Sequence, residues 1–273
     1  MANRRQIFND QWLKRAQAQR GSASWASNVV ATRDTTGGIY LCTLRIWFNQ
    51  FPLTQGQKQQ LRSRLESFRD DEHLGGVNEL AWWAFMLREG VTGNPLPASS
   101  APRPDFQLQP PADCFVEVST LNVSDRDKKK FEREEAVALD HAETIRRVVG
   151  KLTAEKQRQL LYAANHKKPC VLALFDYTTW SGFGTVFFKT LGEFLLGRHL
   201  GFKTFPPELS AIVYLERKVL PDGRIALSRH RSAAYYNPLT LHPLQSGTFS
   251  SLIQFWSQLV STEPRSTDHW IYL

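Results

Sequence analysis

The stretch RPDFQLQPPADCFVEVSTLN, from Arg103 to Asn122, decides the fold expected of this chain. It contains two short apolar runs, DFQLQ and CFVEVSTL, separated by a Pro-Pro turn, and the second run is rich in β-branched and aromatic residues. Two such runs around a turn predict a β-hairpin. Asp105 begins the first strand and Glu117 lies within the second. Because alternate residues of a strand share a face, we expect the two carboxylates to meet at one edge of a sheet.

Helix and strand patterns also precede this hairpin. The run GIYLCTLRIWF (38–48) predicts a strand, and TQGQKQQLRSRLESF (54–68) predicts a helix. The next run, GGVNELAWWAFMLREG, predicts a core helix that ends at Gly90. Its expected core positions are Leu80, Trp83, Phe85 and Leu87. A loop rich in proline and serine then leads into the hairpin.

Downstream of the hairpin, the charged run KKKFEREEAVALDHAETIRRVV predicts a helix up to Gly150, and TAEKQRQLLYAAN predicts a second helix with Thr153 as its N-cap. PCVLALFDY predicts a buried strand and FFKTLGEFLLG a helix. SAIVYLERKVLPDGRIALSRH predicts a hairpin closed by Pro221-Asp222-Gly223. This alternation of helices and strands indicates a mixed α/β fold.

The positive charge of the chain is concentrated at one end. The formal net charge is +8 over 273 residues, and residues 1–69 hold eleven Lys or Arg against three acids, so the excess lies there. A segregated basic region suits a phosphate backbone, and we expect Arg62, Arg64 and Arg69 on the predicted helix to contact phosphates. A solvated basic face that maintains solubility explains the same charge equally well.

Composition narrows the class of protein. A hydrophobic content of 42% is ample for a globular core. The basic N-terminal residues are not followed by an apolar segment, and no run is long enough to span a membrane, so we expect a cytoplasmic protein without a membrane partner. The spacing of Cys42, Cys114 and Cys170 suits neither a zinc site nor a disulfide framework, so we expect buried, free thiols. His73 is expected at the surface.

Asp105 and Glu117 bring hard oxygen ligands together, which is what Mg²⁺ requires. Glu79, on the helix upstream, is a third carboxylate that can face the same edge. A metal ion held there would lower the pKa of a bound water and neutralise charge on a scissile phosphate.

In this order and on these element types, Glu79, Pro104-Asp105 and Glu117-Val118-Ser119 resemble the motif of the PD-(D/E)xK, or restriction-endonuclease-like, nuclease superfamily. The resemblance covers roughly residues 73 to 177 and implies a core with the element order α-β-β-β-α-β. It divides the chain into a basic N-terminal region (1–72) and a nuclease-like domain with a C-terminal hairpin extension (73–273).

The same resemblance implies an endonuclease that depends on Mg²⁺ or Mn²⁺ and hydrolyses phosphodiester bonds, with DNA as the expected substrate. The biological settings that it implies are restriction, phage defence and mobile elements. It leaves open a homodimer and a partner protein of a defence system.

The chain departs from the family pattern at one position, because Ser119 stands where the pattern has lysine. That lysine normally helps to position the attacking water and to stabilise the charged transition state. Lys156, with Gln159 one helical step further on, is the expected replacement, and Lys151 is the reserve candidate. The alternatives are that Lys156 and Gln159 are ordinary exposed residues, and that the chain is an inactive relative that binds nucleic acid or a protein.

Overall fold

The computed structural model describes residues 6–19, 36–97, 99, 101–121, 140–176, 184–197, 201–245, 247–264 and 266–273. Its α-helices are α1 (Asp10–Ala18), α2 (Thr36–Gln50), α3 (Gln55–Leu65), α4 (Asp70–Arg88), α5 (His141–Gly150), α6 (Gln157–Asn165) and α7 (Gly184–Leu196). A π-helical turn, Lys151–Glu155, lies between α5 and α6, and two 3-10 turns span Gly201–Thr204 and Arg229–Arg231.

The described residues form eleven β-strands. They are β1 (Gly93–Pro95), β2 (Phe106–Leu108), β3 (Phe115–Leu121), β4 (Cys170–Asp176), β5 (Leu209–Leu215), β6 (Arg217–Val219), β7 (Ile225–Ser228), β8 (Ala233–Tyr236), β9 (Ile253–Phe255), β10 (Ser261–Thr262) and β11 (Trp270–Tyr272).

An eight-stranded sheet with the order β1-β2-β3-β4-β5-β8-β9-β10 forms the centre of the described structure. Strands β3, β4 and β5 run parallel to one another, β8 and β9 also pair in parallel, and the other neighbours are antiparallel. A smaller sheet has the order β11-β7-β6. The prediction of a mixed α/β fold is confirmed: a mixed sheet is flanked by helices.

The hairpin of the opening stretch is confirmed. Strands β2 and β3 pair antiparallel, with Phe106 opposite Val116, and Asp105 directly precedes β2. All residues of β4 are buried, as expected for a strand covered on both faces. The β6–β7 hairpin closes as predicted, with Gly223 at a φ of 83°, a left-handed conformation that glycine adopts without strain.

The predicted strand at 38–48 is wrong, because this segment lies inside helix α2. Its buried residues Tyr40, Leu44 and Trp47 recur every three or four positions, which is the period of a helix with one buried face. In the core helix α4, Leu87 is 56% exposed and therefore does not belong to the core.

The predicted N-cap at Thr153 is also wrong, because the next α-helix begins at Gln157 with Lys156 at its N-cap position. Helix α5 continues through Gly150 directly into the π-helical turn, and the Thr153 hydroxyl donates to the Val149 carbonyl oxygen at 2.9 Å, inside the helix. A glycine in a helix costs only about 1 kcal/mol, and Val148 and Leu152 are buried on either side of it. The packing of Val148 and Leu152 therefore outweighs the low helix propensity of Gly150. Residues 128–139 of the predicted charged helix lie outside the described residues.

Two side chains lie in other environments than expected. His73 is fully buried rather than at the surface: its ring nitrogens contact the Leu65 carbonyl oxygen at 2.7 Å and the Tyr40 hydroxyl at 3.0 Å. Cys42 is exposed, whereas Cys114 and Cys170 are buried, and all three thiols are free as expected.

The N-terminal helices are joined to one another and to α4 by direct contacts. Trp12 of α1 donates from its indole to the Glu66 carbonyl oxygen at 2.8 Å. Helix α3 packs along α4, and Gly76 of α4 would meet Leu65 at 3.1 Å if it carried a Cβ atom. The predicted boundary between residues 72 and 73 lies inside α4. Within the described residues, no helix combines the length and the apolar character needed to cross a bilayer.

Candidate active site

A cavity of about 250 Å³ opens at the edge of the sheet where β2, β3 and α4 meet the π-helical turn. It is lined by Arg64, Asp71, Gly75, Glu79, Asp105, Glu117, Val118, Ser119, Thr120, Lys151 and Lys156. The three predicted carboxylates and the predicted lysine thus line one cavity. Residues that are far apart in the chain meet here because β2 and β3 form one hairpin and α4 and the π-helical turn flank it.

Asp105 is held in place by the strand next to it. Its Oδ2 atom accepts a hydrogen bond of 2.8 Å from the Val118 backbone N–H. Burial raises the pKa of the Asp105 carboxyl well above its ordinary value, and the nearby Glu117 and Glu79 carboxylates raise it further. The two neighbouring carboxylates therefore disfavour a negative charge on Asp105, and a bound cation would relieve this repulsion.

Glu117 is buried, with 2% of its surface exposed, and its Oε1 atom accepts a hydrogen bond from the Lys156 ammonium group. Burial raises the pKa of the Glu117 carboxyl, although the adjacent Lys156 opposes this effect. For Lys156, burial disfavours the charge, but Glu117 outweighs burial and raises the pKa of the ammonium group. Lys156 is the more exposed of the two side chains, which explains why burial prevails only for Glu117.

Lys151 and Lys156 both line the cavity because of the π-helical turn between them. The Lys156 backbone N–H donates to the Lys151 carbonyl oxygen at 2.9 Å, a hydrogen bond that spans five residues. In a regular α-helix, residues five apart point about 140° away from each other. The wider π-helical turn brings both ammonium groups to one face, and such turns are frequent at functional sites.

The Lys151 ammonium group donates to the Thr120 carbonyl oxygen at 3.4 Å. Burial lowers the pKa of Lys151, and repulsion from Lys156 lowers it further. In this cavity Glu117 therefore favours the charged form of Lys156, whereas Lys151 makes only a long hydrogen bond to a backbone carbonyl oxygen.

A chain of buried hydrogen bonds supports β3 behind the cavity. The Asn78 side chain of α4 donates to the Thr120 hydroxyl at 2.8 Å and accepts from the Arg217 guanidinium at 2.7 Å. Asn78 and Arg217 are both buried. These residues were not predicted. The contact between Asn78 and Arg217 joins positions 139 residues apart in the sequence, and no local pattern indicates it.

The three predicted phosphate-binding arginines each have an acidic partner. Arg62 pairs with Glu66 at 2.9 Å, and Arg69 pairs with Asp71 at 3.0 Å and with Glu72 at 3.3 Å. Arg64 pairs with Glu79 at the cavity. The contact with phosphate stays a prediction for all three, and Arg64 is the one of them that lines the cavity.

The structure separates the predicted pair Lys156 and Gln159. Gln159 lies on α6 but lines a second, adjacent cavity, which shares Arg64, Glu79 and Asp105 with the first. Ser119, which replaces the family lysine, is buried, and its hydroxyl has no partner among the described residues. Among the described residues, Lys156 supplies the ammonium group that forms the ion pair with Glu117.

The cavity offers two carboxylates that suit a hard divalent cation, but it does not offer a complete set of ligands among the described residues. The Glu117 Oε2 atom is buried and has no hydrogen-bond partner among the described residues, next to a second carboxylate, Asp105. Two carboxylates in a polar cavity are suitable ligands for Mg²⁺ or Mn²⁺. Within the described part of the chain, no three His, Cys, Asp or Glu side chains form a ready metal-binding group, and Glu79 is engaged by Arg64.

Comparisons of the chain with models of protein families, with curated proteins and with solved structures found no match.

Proposed function

We propose that this protein is a metal-dependent nuclease that hydrolyses phosphodiester bonds of nucleic acid, with DNA as the substrate. In this proposal Asp105 and Glu117 hold Mg²⁺ or Mn²⁺, Glu79 assists them, and Lys156 supplies the ammonium group that Ser119 lacks. The observation that carries the proposal is the hydrogen bond between Lys156 and the buried Glu117, in a cavity that also contains Asp105.

The order of elements around the cavity supports the proposal. Helix α4 carries Glu79, the strands β1 to β3 follow it, then come α5 and α6, and β4 returns beside β3 in parallel. When α5, the π-helical turn and α6 are taken together as one helical segment, this order corresponds to the α-β-β-β-α-β order that the resemblance to the PD-(D/E)xK superfamily implies. Asp105 directly precedes β2 and Glu117 lies within β3, next to the two strands on which that motif is expected to place its acids.

Each residue of the cavity has a distinct part in the proposed reaction. A bound Mg²⁺ or Mn²⁺ supplies charge neutralisation and a water of lowered pKa. Asp105, oriented by the Val118 N–H, and the free oxygen of Glu117 are the ligands. Lys156, kept protonated by Glu117, stabilises the negative charge that develops on the phosphate. Lys151 contributes a second ammonium group from the same wall.

A second function, an inactive nuclease-fold protein that binds nucleic acid, is favoured by one observation. Arg64 pairs with Glu79, and Lys156 pairs with Glu117, so protein cations already neutralise two of the three carboxylates. In an active enzyme these pairs must admit a divalent cation. In an inactive protein they replace it.

The experiment that separates the two functions is a titration with divalent metal. End-labelled single- and double-stranded DNA is incubated with the protein in EDTA and then with increasing Mg²⁺ or Mn²⁺. The nuclease proposal expects cleavage only with metal. Metal-independent binding of DNA without cleavage at any metal concentration supports the second function instead.

A further inference from the structure

A second cavity, of about 260 Å³, lies next to the proposed cleavage site. It shares Arg64, Glu79 and Asp105 with the first cavity, so the two are adjacent compartments on either side of these residues. A nucleic-acid strand with its scissile phosphate in the first cavity would place a neighbouring nucleotide in the second.

Two buried polar atoms of the residues that line this cavity lack a partner among the described residues. The Arg103 Nε and the Gln159 Oε1 are both buried, and neither has a hydrogen-bond partner among the described residues. A buried polar atom without a partner costs about 1 to 3 kcal/mol. Arg103 and Gln159, which both line the cavity, therefore carry a cationic donor and an amide acceptor that no described residue satisfies.

Apolar residues line another part of the cavity, beside the polar side chains of Gln57, Gln60 and Ser99. Pro95, Pro97 and Pro104 line the cavity with Leu53. The Gln57 side chain donates to the Leu96 carbonyl oxygen at 3.1 Å, which ties the proline-rich segment to the first turn of α3. Flat apolar surfaces of this kind suit the face of a ring.

We propose that this second cavity binds the base of the nucleotide next to the scissile phosphate, and that the base is guanine. The inference rests on the proposed nuclease function for the position of the strand. A phosphate alone does not satisfy the cavity, because the Gln159 oxygen needs a donor that a phosphodiester lacks. Guanine offers O6 and N7 acceptors to arginine and N–H donors to the amide oxygen. The base must be unpaired to present both edges, so the substrate is a single-stranded segment.

Two measurements test the inference. Binding of dGMP, dAMP and TMP is measured by calorimetry in EDTA, which removes any contribution from metal or cleavage. Cleavage positions are mapped in Mg²⁺ on single-stranded oligonucleotides that contain one guanine. Both are carried out on the wild type, Arg103→Gln and Gln159→Leu, with Arg158→Gln as the matched control, since Arg158 is exposed on the same helix and lines neither cavity.

We expect dGMP to bind the wild type roughly tenfold or more tightly than TMP, with this preference lost in Arg103→Gln and Gln159→Leu and retained in Arg158→Gln. Cleavage is expected next to the guanine. Cleavage unrelated to guanine, with equal binding of the three nucleotides, overturns the base site and leaves the nuclease proposal standing. Selective dGMP binding without cleavage supports the base site and overturns the nuclease proposal.

Discussion

Removal of the Lys156 ammonium group should have separate effects on stability and on catalysis. Lys156→Met leaves Glu117, of which 2% is exposed, as a buried carboxylate without its cation. Loss of one partner of a buried pair costs 3 to 5 kcal/mol, and because 23% of the Lys156 side chain reaches water we expect the lower end, about 3 kcal/mol. In a Glu117→Gln background no charge is stranded, so the same substitution should cost less than about 1 kcal/mol.

The assay is a double-mutant cycle by urea unfolding at pH 7, combined with single-turnover cleavage at saturating Mg²⁺. Lys156→Met should lower turnover by roughly a hundredfold or more, and Glu117→Gln should restore stability but not activity. Lys168→Met is the control, because its pair with Asp113 is more exposed and should contribute less than about 1 kcal/mol. An equal stability cost in both Glu117 backgrounds, or wild-type turnover in Lys156→Met, would refute the reasoning.

Three further predictions concern the same region. Gly75→Leu should lower cleavage by filling the cavity while raising the free energy of unfolding by up to about 1 kcal/mol, since no atom lies within 4 Å of a Cβ atom there and glycine is a poor helix former; an unchanged kcat/KM would show that substrate does not pass this face. Deletion of Ala154 should convert the π-helical turn into a regular α-helix in which the two lysines are four residues apart and about 40° from each other, so both should still face the cavity and cleavage should be retained; loss of cleavage with the fold retained by circular dichroism would contradict this reasoning. Burial lowers the pKa of His73 to about 4, so the unfolded chain binds a proton that the fold excludes, and stability should fall by about 3 kcal/mol between pH 6.5 and pH 4; His73→Gln should lose that part of the pH dependence in urea titrations, and an identical slope would contradict it.

Much of the central sheet could be predicted because local patterns and tertiary packing agree there. The β-branched run of β3, the apolar run of β4 and the Pro-Asp-Gly turn between β6 and β7 each specify one structure. The segment 38–48 was mistaken for a strand because its aromatic and β-branched residues favour strands. Its buried positions nevertheless have a helical period, and that signal was present in the sequence.

The sequence predicted those parts of the candidate site that depend on the order of its residues and secondary-structure elements along the chain. Glu79, Asp105, Glu117 and Lys156 line one cavity, as the pattern suggested. The joint placement of Lys151 and Lys156 was not predictable, since five residues of a regular helix separate the two side chains by about 140°. The pairing of Arg64 with Glu79 depends on how α3 packs against α4, which no local sequence pattern encodes.

The separation of Gln159 from the metal edge has a similar cause. Lys156 precedes α6, whereas Gln159 lies within its first turn, so helical spacing does not relate the two side chains. Lys156 and Gln159 would share a face only in one continuous α-helix that begins at Thr153. The π-helical turn interrupts this helix and changes the angle between the two side chains.

The most direct test of the central claim is metal-dependent cleavage by the wild type and by Asp105→Asn, measured under single-turnover conditions with metal affinity followed by calorimetry. Asp105→Asn keeps the shape of the side chain and removes the charge that would hold the ion. We predict cleavage by the wild type in Mg²⁺ or Mn²⁺ and none in EDTA, with a loss of cleavage rate of several orders of magnitude and weaker metal binding in the variant. Equal cleavage by the two proteins, or cleavage by the wild type in EDTA, would contradict it.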